Sequence, residues 1–214
     1  MAQTDLTQGS IFGNLSRFSL PYMLSYFLQN LYGLADLFVI GQYCDVASTT
    51  AVSNGAQIMH MFTVIIIGLA MGTTVRIARA VGAGDKEIAS RTIGNTFTLS
   101  ALTAIAATFI LLLANRSIVS MIDTPPEAVK GTIDYLRICF IGIPFIIAYN
   151  IIASIFRGLG DSKSPMYFVI VACVANIALD YIFIGHFGLG PSGAALGTTL
   201  SQMISVIIAA IVIR

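Results

Sequence analysis

The chain has 214 residues, of which 57% are hydrophobic and only 10% charged, with a formal net charge of +1. An ordinary soluble domain carries about 25% charged residues, so this composition excludes a globule able to cover itself in water. The near-neutral balance says little about partners, because the distribution of charge matters more; no nucleic-acid partner is expected.

Residues 1–17 are polar, with Gly9, Asn14 and Ser16 among them, and lack the basic cluster followed by a short apolar core that marks a cleavable signal. They are expected to be a cytoplasmic N-terminal lead-in. Six apolar runs follow, at 18–43, 51–75, 93–114, 132–156, 164–187 and 193–213. Each is long enough to cross a bilayer, which takes roughly 20 residues. In lipid a helix is the natural outcome, since its backbone groups bond within their own segment. The expected fold is therefore all-α, a polytopic membrane protein whose residues 18–214 form a bundle of six transmembrane helices. No soluble domain and no repeat of the first three helices in the last three is visible.

Sorting the cations by loop puts Arg17, Arg76, Arg79, Lys86, Arg91, Arg157, Lys163 and Arg214 on one side. Arg116, Lys130 and Arg137 fall on the other. By the positive-inside bias the first side is cytoplasmic, and an even helix count then places both termini there.

The first helix carries Asp36 in an otherwise apolar setting, with Tyr32 one turn before it and Pro21 as a place to bend. In the second, His60 reads as a neutral histidine bonded within the bundle, and Gly68 with Gly72 as a close helix contact. In the fourth, Asp134 and Arg137 read as a local ion pair. Pro144 there is a possible kink, and Asn150 is polar in an apolar stretch. The fifth carries Asp180, again with a polar residue, Asn176, one turn earlier. Gly193 and Gly197 open the sixth with the same close-packing spacing. Cys44, Cys139 and Cys173 lack metal-type spacing and read as packing residues.

The two acids are the expensive residues. Counting 1.5 Å per residue places Asp36 roughly 10 Å from the outer end of its helix and Asp180 roughly 24 Å from the inner start of its own. Both depths fall in the outer half of a core about 30 Å thick. Intramembrane acids usually face a bundle interior or a wet cavity and mark ion or proton routes. A pair of them can hold a proton and release it when water or a cation enters. The segment FRGLGDSKSP contains GLGD (158–161), the pattern of intramembrane aspartyl proteases, but Asp161 lies between Arg157 and Lys163 in a loop. That reading ranks last.

Taken in order, the segments FSLP ending at Pro21, LADLFVIGQ, ARAVGAGDKEIA, FRGLGDSKSP, NIALDYIFI and GPSGAALGTTLSQ run through nearly the whole chain. In that order and spacing the chain resembles the N-terminal six-helix lobe of the multidrug and toxic compound extrusion (MATE) transporters. The resemblance implies a cation- or proton-binding cluster at Asp36, Asp180 and Asn176, with Tyr32, Asn150, Tyr135 and Thr198 as further polar positions of the same lobe. Asp36, Asp180 and Asn176 would be the ligands of a sodium ion, if sodium is the coupling ion.

The implied function is H⁺- or Na⁺-coupled antiport exporting organic, often cationic, drug-like compounds across the cell membrane. No enzymatic activity and no cofactor beyond the coupling ion are implied. Such transporters have about twelve helices in two lobes, whereas this chain stops at Arg214 with the sixth helix. The expectations are a piece of a longer product, half of a homodimer, or a split transporter, with a C-terminal lobe or a second copy as partner. The alternative is a six-helix structural membrane subunit whose acids satisfy only each other.

Overall fold

The computed structural model describes residues 10–213; what the sequence leads one to expect of residues 1–9 and Arg214 lies outside them. The chain order is α1 (Ile11–Tyr43), α2 (Val46–Gly82), α3 (Lys86–Met121), α4 (Pro126–Ile141), α5 (Ile143–Gly158), α6 (Lys163–Asp180), a π-helical segment (Tyr181–His186) and α7 (Gly190–Ile213). Five helical stretches are long and apolar enough to cross a membrane. Among the described residues the α4–α5 pair, bent by 50°, makes a sixth when taken as one broken span.

Helices α2 and α3 extend past the expected apolar runs at both ends and α4 starts six residues early; three further differences shape the bundle. Helix α1 starts at Ile11, so residues 11–17 belong to it and not to a separate lead-in. It is capped by Ser10, whose Oγ accepts from Gly13 N. The fourth span breaks at Gly142, with Pro144 in the first turn of α5, where a proline is tolerated. A Cβ at Gly142 would meet the Thr199 side chain at 2.6 Å, so the break lets α7 approach closely. The fifth span changes to π geometry directly after Asp180.

The two loops at the α1 N-terminal end of the bundle use one device twice. After α2, Gly84 takes φ 72°, Asp85 N donates to Ala80 O, and the Asp85 carboxylate accepts from Ile88 N to start α3. After α5, Gly160 takes φ 87°, Asp161 N donates to Phe156 O, and the Asp161 carboxylate accepts from Lys163 N and Ser164 N to start α6. A glycine in the left-handed region closes one helix and the next aspartate opens another. The GLGD motif is thus a helix stop-and-start, and Asp161 is occupied as a cap. At the opposite end Asp45 caps α2 through Ser48, and those bonds hold its carboxyl below the ordinary carboxylate range.

Helix α6 packs chiefly on α7 and α1, and α2 packs on α4 and α5, with α3 at the periphery. The main core joins both groups through Val39, Ile40, Val52, Ile77, Leu136, Phe140, Ile143 and Ile184. Leu113, Ile110, Phe109 and Leu102 of α3 stay exposed, as lipid-facing side chains do. Association between such helices rests on close packing more than on hydrophobic transfer.

Two local expectations fail. Asp134 and Arg137 form no ion pair: among the described residues that contact is made by Arg91 and Glu87 alone, at 2.7 Å on the surface of α3. Gly68 and Gly72 have open space where a Cβ would stand, while Gly193 and Gly197 are tightly packed. Spacing alone marks a possible seam, and only a neighbouring helix makes it one. A Cβ at Gly158 would lie 2.8 Å from Ile77 Cβ. Gly158→Ala should therefore destabilise the purified protein by about 1–3 kcal/mol. Gly72→Ala should be neutral or stabilising by up to about 1 kcal/mol. Thermal unfolding in detergent compares them directly, and equal shifts would contradict the packing described.

Candidate cation site and cavity

Asp36 and Asp180 meet. Helices α1, α6 and α7 converge in the half of the bundle where α1 ends, and both acids are buried there, at 4% and 0% exposure. The Asp36 carboxyl lies against the Asp180 carboxyl and the Asn176 amide. Its Oδ2 accepts from Thr198 Oγ1 at 3.0 Å. Asp36 Oδ1, both Asp180 oxygens and both amide atoms of Asn176 are buried without a hydrogen bond of good geometry. Such groups are rare, because each carries a desolvation penalty of roughly 1–3 kcal/mol or more. Here they converge on one spot.

Gly197 makes the arrangement possible. A Cβ there would collide with Asp180 Oδ1, so α7 offers bare backbone where the carboxyl needs room. One residue later α7 supplies Thr198, and one turn further Gln202, whose Nε2 donates to Tyr32 Oη at 3.2 Å. Tyr32 and Asp36 make no hydrogen bond to each other: the tyrosine oxygen accepts from Gln202, while Asp36 takes its donor from Thr198. Spacing of i, i+4 put both on one face of α1, but each bonds across the interface to α7 instead. Gln202 was not singled out in the sequence, although it ends the GPSGAALGTTLSQ segment; nothing there reveals which residue it meets.

A cavity of about 840 Å³ opens between α1 and α2 and is backed by α4, α5 and α7. Asp36, Tyr32, Tyr135, Asn150 and Thr198 line it, whereas Asp180 and Asn176 do not. Asp36 thus stands between the open cavity and the sealed acid behind it. Asn150 uses its amide nitrogen on Ile146 O at 2.8 Å. Tyr135 is buried, and Gly55 of α2 leaves room for its ring. His60 corrects an expectation: it is exposed on the cavity wall and not bonded inside the bundle. Asp36 is the sole acid on the described walls, and the aromatic lining is Tyr26, Tyr32, Tyr135 and Tyr149, with Met59 and Met61 as flexible apolar surface.

The donor set is hard and oxygen-rich, which suits a proton or a sodium ion. No group of three or more His, Cys, Asp or Glu side chains able to hold a metal occurs among the described residues. Two carboxylates, an amide oxygen and a hydroxyl oxygen remain a plausible shell for a monovalent hard cation.

The family model described as MatE matches residues 21–182. The chain belongs to the MatE family. It is similar to two probable multidrug resistance proteins of Bacillus subtilis, YpnP (34% identical, covering 96% of this chain and 46% of the relative) and YoeA (30%, covering 96% and 45%). Among solved structures it is similar to a MATE crystallised in the bent conformation, with a TM-score of 0.91 and 31% identity. A MOP superfamily transporter from Pyrococcus furiosus superposes at 0.90, also at 31%. Both comparisons cover 98% of this chain and 47% of the other. The chain spans just under half the length of these relatives, the extent of one lobe.

If Gly197 is the slot for Asp180, the two positions must be energetically coupled. Gly197→Ala should lower stability by about 1–3 kcal/mol, and combining it with Asp180→Ala should recover part of that loss, a coupling of about 0.5–3 kcal/mol. Unfolding of the four forms in detergent measures it; strict additivity would show that the carboxyl does not occupy the slot.

Proposed function

We propose that this chain is the ion-coupling lobe of an H⁺- or Na⁺-driven antiporter that exports organic, often cationic, drug-like compounds. The observation that carries the proposal is the position of Asp36, facing the cavity on one side and the sealed Asp180 on the other. A cationic compound in the cavity and a coupling ion on the acid pair would compete for the same negative charge. Exchange follows, because the lobe favours one or the other and not both. The tyrosine walls support the same reading, since aromatic faces attract cations. Similarity to proteins named for multidrug resistance and export supports the substrate class.

In this mechanism the ion enters from the outer side and binds between Asp36 and Asp180, with Asn176 and Thr198 as neutral ligands. Binding must favour one arrangement of the bundle over another, since equal affinity for both shifts nothing. Helix α1 is the candidate moving part: it carries Asp36 and Tyr32, contains Pro21, and is bonded to α7 at Thr198 and Gln202, the first of these bonds depending on the charge of Asp36. Similar MATE structures exist in both a bent and a straight conformation, which supports a lobe with two packings. The basic loops put both termini on the cytoplasmic side. The second lobe of the carrier would be a C-terminal half or a second copy of this chain.

Ethidium efflux from everted vesicles tests the reading. The chain together with its second lobe should pump, and Asp36→Asn should abolish pumping while insertion is unchanged. A fully active Asp36→Asn form would leave the structural-subunit alternative standing. The coupling ion is separated by carbodiimide labelling of the purified protein, which modifies protonated buried carboxyls. Sodium at millimolar concentration should protect Asp36 and Asp180 if Na⁺ is coupled. If H⁺ is coupled, labelling should respond to pH alone.

A further inference from the structure

One charge is not accounted for by the acid pair. Arg157 lies in the last turn of α5, at the end of the bundle where α1 begins, with most of its surface covered. Its Nη2 donates to Ser154 Oγ at 3.2 Å, and its guanidinium sits 5.1 Å from the centre of the Tyr22 ring. The other ionisable group facing it is Tyr149. No carboxylate pairs with it, Arg91 and Glu87 being the ion pair among the described residues. An arginine carries its charge at any accessible pH, and the α5 C-terminal dipole supports it there without a counter-ion.

The position of this charge relative to the cavity is what gives it meaning. Tyr22, Ser25, Gln29, Tyr32 and Asp36 recur along α1 at alternating spacings of three and four, so they share one face. That polar stripe covers fifteen residues, about 21 Å of helix. The cavity follows it from Asp36 past Tyr32 to Gln29 and Tyr149, and Gln29 lies against Tyr149. Arg157 does not line the cavity; it is the next charged group beyond Tyr149 along α5. The polar face of α1 therefore continues past the inner end of the cavity, through Ser25 and Tyr22, to an uncancelled positive charge.

We propose that Arg157 is an electrostatic stop beyond the closed inner end of the cavity, which keeps a proton or small cation admitted to Asp36 and Asp180 from leaking along the polar face of α1 and through the lobe. The proposal rests on the antiport reading in assuming that cations enter this cavity. A fixed positive charge in a low-dielectric constriction repels cations far more strongly than it would in water. Ser154 and Tyr22 hold it against this face of α1 when it would otherwise reach out to water, as long cationic side chains at helix ends do. Arg157 is a positioning and gating residue on this view and is no ligand of the transported ion.

The test is proton leak into liposomes containing the full chain, read with an internal pH dye under an imposed membrane potential. Arg157→Gln, which keeps a hydrogen-bond donor for Ser154, should raise the leak on the order of tenfold or more. Arg157→Lys should stay close to the unaltered chain. Equal leak in the Gln form would overturn the proposal, as would a Lys form as leaky as the Gln form, since shape and not charge would then close the lobe. The unaltered chain offers a check that needs no variant: its residual leak should favour chloride over potassium, and a cation-preferring leak would sink the idea. Failure of ethidium efflux with the leak ratio intact would reject antiport alone, whereas intact efflux with no change in leak would reject the stop alone.

Discussion

Two carboxyl groups pressed together away from water repel each other unless a proton or cation lies between them. The contact between Asp36 and Asp180 is the constraint around which this bundle is arranged. Helix α1 brings one acid, α6 the other, and α7 closes the junction with a bare glycine for one and a threonine hydroxyl for the other. A membrane interior offers no water to finish the unmet bonds of Asp180 and Asn176. Stability alone would favour apolar residues of similar size, as buried ion pairs and networks often show. Retaining the acids makes sense where an ion has to come and go.

The scaffold around the pair is built from inexpensive devices. The loops after α2 and α5 repeat one glycine–aspartate turn, so each helix is stopped and the next begun within a few residues. The bend at Gly142 lets the α4–α5 span wrap the back of the cavity while Thr199 of α7 fills the notch. The π-helical turn after Asp180 follows the acid immediately. Such segments are rare and recur at functional sites, and here Gly185 lets the ring of Tyr43 lie against it.

Charge is distributed with similar economy. The cavity holds one acid on its described walls and no lysine or arginine, which favours cationic guests bearing apolar bulk. Beyond its inner end stands Arg157, uncancelled and held between a serine and a tyrosine ring. On the proposed reading, one lobe places its negative charge where an ion is to be held and a positive charge where it is to be stopped. Asp161, which has the pattern of a protease motif, is spent on helix capping.

The amino-acid sequence by itself determined the membrane class, the number of spans and the two acids that matter, because each is a local property. An apolar run of sufficient length has no other stable form in lipid, and a carboxylate within it stands out against its neighbours. Family motifs in sequence order also pointed to Asn176, Thr198, Tyr32, Tyr135 and Asn150, which the structure places beside Asp36 or along the cavity. What only the tertiary structure decided was who touches whom. It gave Thr198 to Asp36 and Gln202 to Tyr32, put His60 on the cavity wall, left Asp134 and Arg137 apart, and left Gly68 and Gly72 facing open space. It also set Gly197 beneath Asp180 and Arg157 beyond Tyr149. Those relations depend on how helices far apart in the chain rotate and approach one another, and helical spacing encodes a face without naming the partner that will cover it.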